Sequence, residues 1–176
     1  MSAWLVKDLP AFANTPWKEL VELAKKAGDF GQKVAKTIYD KNVSPSKNAV
    51  QLGVFNIISF EQANENPAQN IRAYYCPNTK TIQLNTRTID ESCETLKHLR
   101  LNYFSKKQIT DFYVLHELFH HLEETREMRV DVKCGYKGSK NAQAHVRDFG
   151  ACGFVNEVAG SFCCQILDIL EIAFRK

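Results

Sequence analysis

Three of the chain's five histidines lie in one six-residue segment, His-Glu-Leu-Phe-His-His, at positions 116 to 121. Within it, His116, Glu117 and His120 have the HExxH spacing. Residues i and i+4 of a helix lie one turn apart and about 40° around its axis, so both imidazoles can reach one metal ion. Glu117 would lie beside that ion, where its carboxylate can take a proton from a bound water. The segment therefore indicates metal-dependent hydrolytic chemistry.

Zinc is the metal that this pattern favours. Two histidines and a carboxylate leave a fourth coordination position for water, whose pKa the ion lowers to about 7. Two other interpretations remain open. The histidines could be a buried pair satisfied by hydrogen bonds, or they could hold a metal with a purely structural role.

A third protein ligand is expected from the helix that follows. Glu157 is the first candidate, because it opens the final helix in the segment Asn-Glu-Val-Ala-Gly-Ser-Phe, whose small residues would let that helix pack close to the HExxH helix. His121 faces away from the histidine pair, so a surface position or a supporting contact is expected for it instead. The alternative ligands are, in order, Asp148, His145 and Asp131, with Cys152 and Cys163 as softer choices.

The HExxH segment is predicted to lie on an amphipathic helix that begins after Ser105. Ser105 and Gln108 match the capping box, in which the serine accepts from the third helical amide and the glutamine side chain reaches back. Both motif histidines should face the interior, because they share one broad face with apolar residues. That face comprises Ile109, Phe112, Tyr113, His116, Phe119 and His120.

The remaining elements are predicted from periodicity and turn residues. Helices are expected at 16–27, 30–41 and 90–101, and a last helix from Phe149 or Gly153 to Phe174. Strands are expected at 50–60, 71–76 and 81–85, with a hairpin over 71–85 and a polar loop at 61–70. The stretch 125–148 combines lysines, arginines and glycines without periodicity, and we interpret it as a long basic loop.

Composition limits the class of protein. A chain of 176 residues with 44% hydrophobic and 24% charged residues fits a single domain over 1–176, as a monomer or small homo-oligomer. A net charge of +3 is too small to favour nucleic-acid binding. With neither a signal pattern nor a membrane-spanning apolar run, we expect a cytoplasmic protein whose six cysteines are reduced.

The order of motifs resembles the ImmA/IrrE family of zinc metallopeptidases. The resemblance lies in a strand, Thr-Ile-Gln-Leu-Asn at 81–85, then the helix around His116 and His120, then Glu157-Val-Ala-Gly-Ser-Phe before Ile166-Leu167. It covers about residues 70 to 170.

The resemblance implies a minimal zincin-like α+β domain, in which a small, mainly antiparallel sheet packs with the HExxH helix and a C-terminal helix. It also implies that His116, His120 and Glu157 hold Zn²⁺ and that Glu117 is the catalytic base. The substrate would be a protein, such as a DNA-binding transcriptional repressor. Two alternatives stay open: a zinc-binding regulatory module without significant turnover, and a zinc hydrolase of a non-protein substrate.

Hydrolysis also needs a donor that stabilises the transition-state oxyanion. His145, Tyr136 and Arg147 are the candidates, and sequence reasoning does not choose among them. The basic stretch at 125–148, which contains Tyr136 and Arg147, could act as a lid or recruit an acidic substrate, or it could be a solvated insertion.

Overall fold

Helices pack around a small sheet in the computed structural model, which describes residues 3–7, 9–61, 71–101, 103–160 and 163–174. The chain is therefore α+β. Its helices are α1 (Ala3–Val6), α2 (Trp17–Ile38), α3 (Pro45–Gln51), α4 (Thr86–His98), α5 (Lys106–Thr125), α6 (Val130–Lys133), α7 (Lys140–Ala159) and α8 (Cys163–Phe174), with a 3-10 turn at Pro10–Phe12. Its strands are β1 (Asn56–Phe60), β2 (Ala73–Cys76) and β3 (Thr81–Asn85).

The sheet has the order β1-β3-β2 and is mixed. Strands β2 and β3 form the predicted antiparallel hairpin, in which Tyr75 pairs with Ile82. Strand β1 instead runs parallel to β3, with Ile57 opposite Ile82. The expectation of a mainly antiparallel sheet is therefore wrong, because β3 lies in the centre and pairs with neighbours of opposite direction. Ile82 and Leu84 of this central strand are buried, as a strand covered by helices requires.

The HExxH helix, α5, begins as predicted. The Ser105 side chain accepts from the amide of Gln108, and the Gln108 side chain returns to the Ser105 backbone. The helix packs against α7, α3, α4 and strands β2 and β3. Its interior side includes Ile109, Leu115, Leu118 and Leu122, each at most 1% exposed. These contacts hold the motif histidines on a rigid central element.

Helix α2 is one continuous helix, so the predicted break near residue 28 is wrong. Gly28 does not end the helix, and both Gly28 and Gly31 lie where α2 contacts α7. A Cβ on Gly31 would overlap the carbonyl of Gly150, and one on Gly153 would overlap the carbonyl of Gly28. Glycine is needed at positions 31 and 153 because the two helix backbones approach there more closely than a side chain allows.

The stretch 125–148 is largely helical, and its interpretation as a long loop is wrong. It contains α6 and the first turns of α7, which begins at Lys140 after Ser139 accepts from the amide of Ala142. The predicted last helix is in fact two helices. Helix α7 ends at Gly160, whose φ of +107° is a conformation that favours glycine, and α8 starts at Cys163.

The state of the cysteines differs from the expectation that all six are reduced. Cys152 is disulfide-bonded, whereas Cys76, Cys93, Cys134 and Cys163 are free thiols.

The predicted polar loop at 61–70 lies, from residue 62 onward, outside the described residues. Among the helices that the structure describes, none combines the length and the apolar character needed to cross a membrane.

Candidate metal centre

His116, His120 and Asp148 bring three potential metal ligands together. The Nε2 atoms of His116 and His120 are 3.2 Å apart. Oδ1 of Asp148 lies 3.6 Å from Nε2 of His116 and 3.4 Å from Nε2 of His120. Two imidazole nitrogens and a carboxylate oxygen therefore lie close together between α5 and α7.

These distances fit a small tetrahedral ion. Bonds of about 2.0–2.1 Å to such an ion place its ligand atoms roughly 3.3–3.4 Å apart. The three measured separations, 3.2, 3.4 and 3.6 Å, bracket that value. Two nitrogens and one oxygen are a donor set that first-row divalent metals accept. The cluster could therefore hold a metal ion.

Asp148, rather than Glu157, accompanies the histidine pair. Glu157 lies nine residues further along α7, a separation of about 13.5 Å and roughly 180° around the helix axis. Its carboxylate instead bonds Lys41 at 3.2 Å and Lys36 at 3.4 Å. The structure therefore places Glu157 away from the histidine pair. The difference follows from predicting a helix start near residue 149 or 153, which places Glu157 in the first turns, whereas α7 begins at Lys140.

The other ligand candidates are engaged elsewhere, apart from His145. Asp131 is buried and accepts from Arg129 Nη2 at 2.7 Å. The Cys163 thiol donates to the carbonyl of Ala159 at 3.2 Å, and Cys152 is disulfide-bonded. His145 lies one turn before Asp148, and its Nδ1 is 3.6 Å from Oδ2, the Asp148 oxygen that faces away from the histidine pair.

Glu117 faces a cavity beside the cluster. The cavity has a volume of about 290 Å³ and is lined by Tyr74, Tyr75, Pro77, Glu117, His120, Glu124, Ala144, Arg147 and Asp148. Glu117 is 8% exposed. A carboxylate with little solvent around it, on the same cavity wall as two of the three ligands, can exchange protons with a molecule bound there.

The cluster carries compensating charge. Burial opposes ionisation of Asp148, but the nearby imidazoles of His116, His120 and His145 outweigh it and hold the pKa of Asp148 well below its usual range. Burial likewise opposes the charged form of His120, yet bonds with Asp148 and Glu123 raise the pKa of His120 to about 10. Without a metal, a protonated His120 therefore balances part of the negative charge of Asp148 and Glu123. A bound divalent metal ion would replace the proton on His120.

Glu123 supports the cluster and was missed by sequence reasoning. Its carboxylate is 1% exposed and Oε2 accepts from His120 Nδ1 at 2.9 Å. The signal was present, because residues three apart on a helix are neighbours and Glu123 follows His120 by three positions. Arg147 bonds the same Oε2 at 2.9 Å, and it also lines the cavity.

Of the three candidate oxyanion donors, Arg147 alone is among the residues that line the cavity. Tyr136 instead packs on Phe12, with ring centroids 6.2 Å apart. His145 also lies near Phe12, at 6.1 Å.

His121 is buried rather than on the surface, with 1% exposure. Its Nε2 lies 3.1 Å from the carbonyl of Leu52, which can only accept, so Nε2 carries the proton. Nδ1 therefore accepts from the Tyr75 hydroxyl at 2.8 Å. This histidine joins α5 to β2 and to the end of α3, and its role is structural.

Comparisons of the chain with protein-family models, with curated proteins and with solved structures found no match.

Proposed function

We propose that the chain is a zinc-dependent metallopeptidase with a minimal zincin-like fold. The observation that carries this proposal is the convergence of His116, His120 and Asp148 beside Glu117 at an open cavity. Two histidines and a carboxylate are the ligand set of one group of catalytic zinc sites, and they leave a coordination position for water or substrate. The sequence resemblance to ImmA/IrrE metallopeptidases supports the same function.

In this proposal His116, His120 and Asp148 hold Zn²⁺, which when bound acidifies a water and polarises the substrate carbonyl. Glu117 accepts a proton from the attacking water and then delivers it to the leaving amine as the peptide bond breaks. Arg147 is the candidate for stabilising charge on the carbonyl oxygen, since of the three oxyanion-donor candidates it lines the same cavity. The substrate is a protein, and by resemblance it is a DNA-binding repressor.

The test uses zinc-reconstituted protein and a proteome-derived peptide library, with new termini identified by mass spectrometry. Wild type should cleave, and Glu117→Gln should bind zinc normally while losing activity by about 10²–10⁴-fold, because the proton acceptor is gone. A Glu117→Gln variant that cleaves at the wild-type rate would contradict the role of Glu117. Zinc binding without cleavage of any peptide by wild type would contradict the peptidase proposal and favour a binding module or another hydrolase.

A further inference from the structure

The carboxylate of Glu123 receives three donors in the interior. His120 Nδ1 and Arg147 Nε each lie 2.9 Å from Oε2, and the amide of Val130 lies 2.9 Å from Oε1. A carboxylate that is 1% exposed would be strongly unfavourable without such partners. Three separate segments, the end of α5, the start of α6 and the middle of α7, therefore meet at this one side chain.

The contact with His120 determines how that imidazole can bind a metal. A carboxylate only accepts, so Nδ1 must carry the proton. Once His120 is neutral, Nε2 has the free lone pair, and this is the atom that faces Asp148 Oδ1 at 3.4 Å. Carboxylate partners of this kind fix the ring orientation of ligating histidines and raise their basicity.

Glu123 also bonds Arg147, which lies on α7. Arg147 immediately precedes Asp148 in α7, and its guanidinium bonds Glu123 at 2.9 Å and Glu124 at 2.7 Å. Both acceptors belong to α5. Because Glu123 binds His120 and Arg147 through the same oxygen, it ties the histidine ligand to the residue next to the carboxylate ligand.

We propose that Glu123 is a positioning residue for the metal centre, which presents His120 Nε2 to the ion and holds α7 so that Asp148 meets it. This inference rests on the metal centre of the proposed function, and it does not depend on peptidase activity. Glu123 itself makes no contact with the ion or the substrate.

Glu123→Gln and Glu124→Gln form a matched pair for the test. Each removes one negative charge that faces Arg147, but of these two glutamates only Glu123 bonds His120. Zinc affinity is measured by competition with a chromophoric chelator. Glu123→Gln should weaken zinc binding about 10- to 100-fold, the usual effect of losing such a partner. Glu124→Gln should change it by less than about fivefold, the value of an exposed ion pair.

NMR of the ¹⁵N-labelled zinc protein gives a second readout. In wild type the Nδ1–H proton of His120 should be observed and protected from exchange, because Glu123 accepts it. In Glu123→Gln that proton should exchange faster, and in Glu124→Gln it should not. A general loss of stability would not single out this one imidazole proton.

Several results would overturn the inference. These are wild-type zinc affinity in folded Glu123→Gln, equal weakening by both variants, or an unchanged His120 proton. If Glu123→Gln does not fold, Glu123→Asp keeps the charge but withdraws the carboxylate from His120, and unaltered zinc affinity there would count against the proposal. Failure of wild type to bind zinc would instead contradict the proposed function.

Discussion

Oδ1 of Asp148 lies 3.4 Å from Nε2 of His120, across the interface between α7 and α5. This relationship defines the candidate site, because it supplies the carboxylate that the histidine pair needs. It depends on how closely α7 approaches its neighbours. Gly150, two residues after Asp148, lies against the Phe119 ring on α5 and against Gly31 on α2.

The first prediction concerns this close approach. Gly31→Ala should destabilise the fold by about 1–3 kcal/mol or more, because the added methyl overlaps the Gly150 carbonyl and α2 and α7 must separate. Since α7 carries Asp148, zinc affinity should fall as well. Urea denaturation and zinc titration measure the two effects.

Gly28→Ala is the control for that variant. It lies in the same helix, and its Cβ would meet only the Phe149 carbonyl at 3.8 Å, an ordinary contact. Alanine is favoured over glycine in helices by about 0.8–1.0 kcal/mol, so Gly28→Ala should be neutral or stabilising. Equal destabilisation by both variants would contradict the proposed crossing.

The second prediction concerns alkaline pH. Burial disfavours charged His120, but bonds with Asp148 and Glu123 raise its pKa to about 10. The folded pKa thus exceeds the unfolded value of about 6.5, so the stabilisation is complete below that pH and is lost as pH rises towards 10. The free energy of unfolding of the metal-free protein should therefore decrease above neutral pH.

His120→Gln and zinc addition separate this effect from other titrations. Both should flatten the stability profile between about pH 7 and 10, because the titrating imidazolium is absent in each. Chemical denaturation at a series of pH values measures the slope. An identical slope in His120→Gln would show that another group is responsible.

The third prediction concerns acidic pH and Tyr75. Burial lowers the pKa of His121, so the unfolded state takes up its proton first and stability is lost as pH falls below about 6.5. Tyr75→Phe removes the hydroxyl that donates to Nδ1. It should cost about 1–3 kcal/mol at neutral pH by leaving a buried acceptor unpaired.

Tyr75→Phe should keep the loss of stability in acid, because burial lowers the pKa of His121 and a hydroxyl can accept from a protonated Nδ1 as well as donate to a neutral one. Zinc affinity should stay near that of wild type, since His121 belongs to the structural contact and not to the metal cluster. Urea denaturation at pH 5 and pH 7, with a parallel zinc titration, checks both statements. A large loss of zinc binding would contradict the separation of these adjacent histidines.

Local signals made part of the fold predictable. The capping box of Ser105 and Gln108 placed the start of α5, and the turn residues at 77–79 placed the β2–β3 hairpin. Both depend on residues a few positions apart. The direction of β1 depends instead on which strand becomes central, and that is decided by packing.

The candidate third ligand was harder to predict because its position depends on how α7 is oriented. Ser139 caps α7, but glycines and lysines around it suggested a loop, and the helix start was placed about ten residues too late. Every side-chain direction on α7 follows from that start and from the glycine contacts with α2. Asp148 was therefore only the second choice, although His116, Glu117 and His120 were correctly placed on one helix.

Zinc binding by Asp148→Ala and Glu157→Ala tests the central claim most directly. Elemental analysis and chelator competition should show about one zinc per wild-type chain. Asp148→Ala should lose most of its zinc affinity, while Glu157→Ala, which loses the contacts with Lys36 and Lys41, should bind like wild type. Retained affinity in Asp148→Ala together with loss in Glu157→Ala would contradict the site described above.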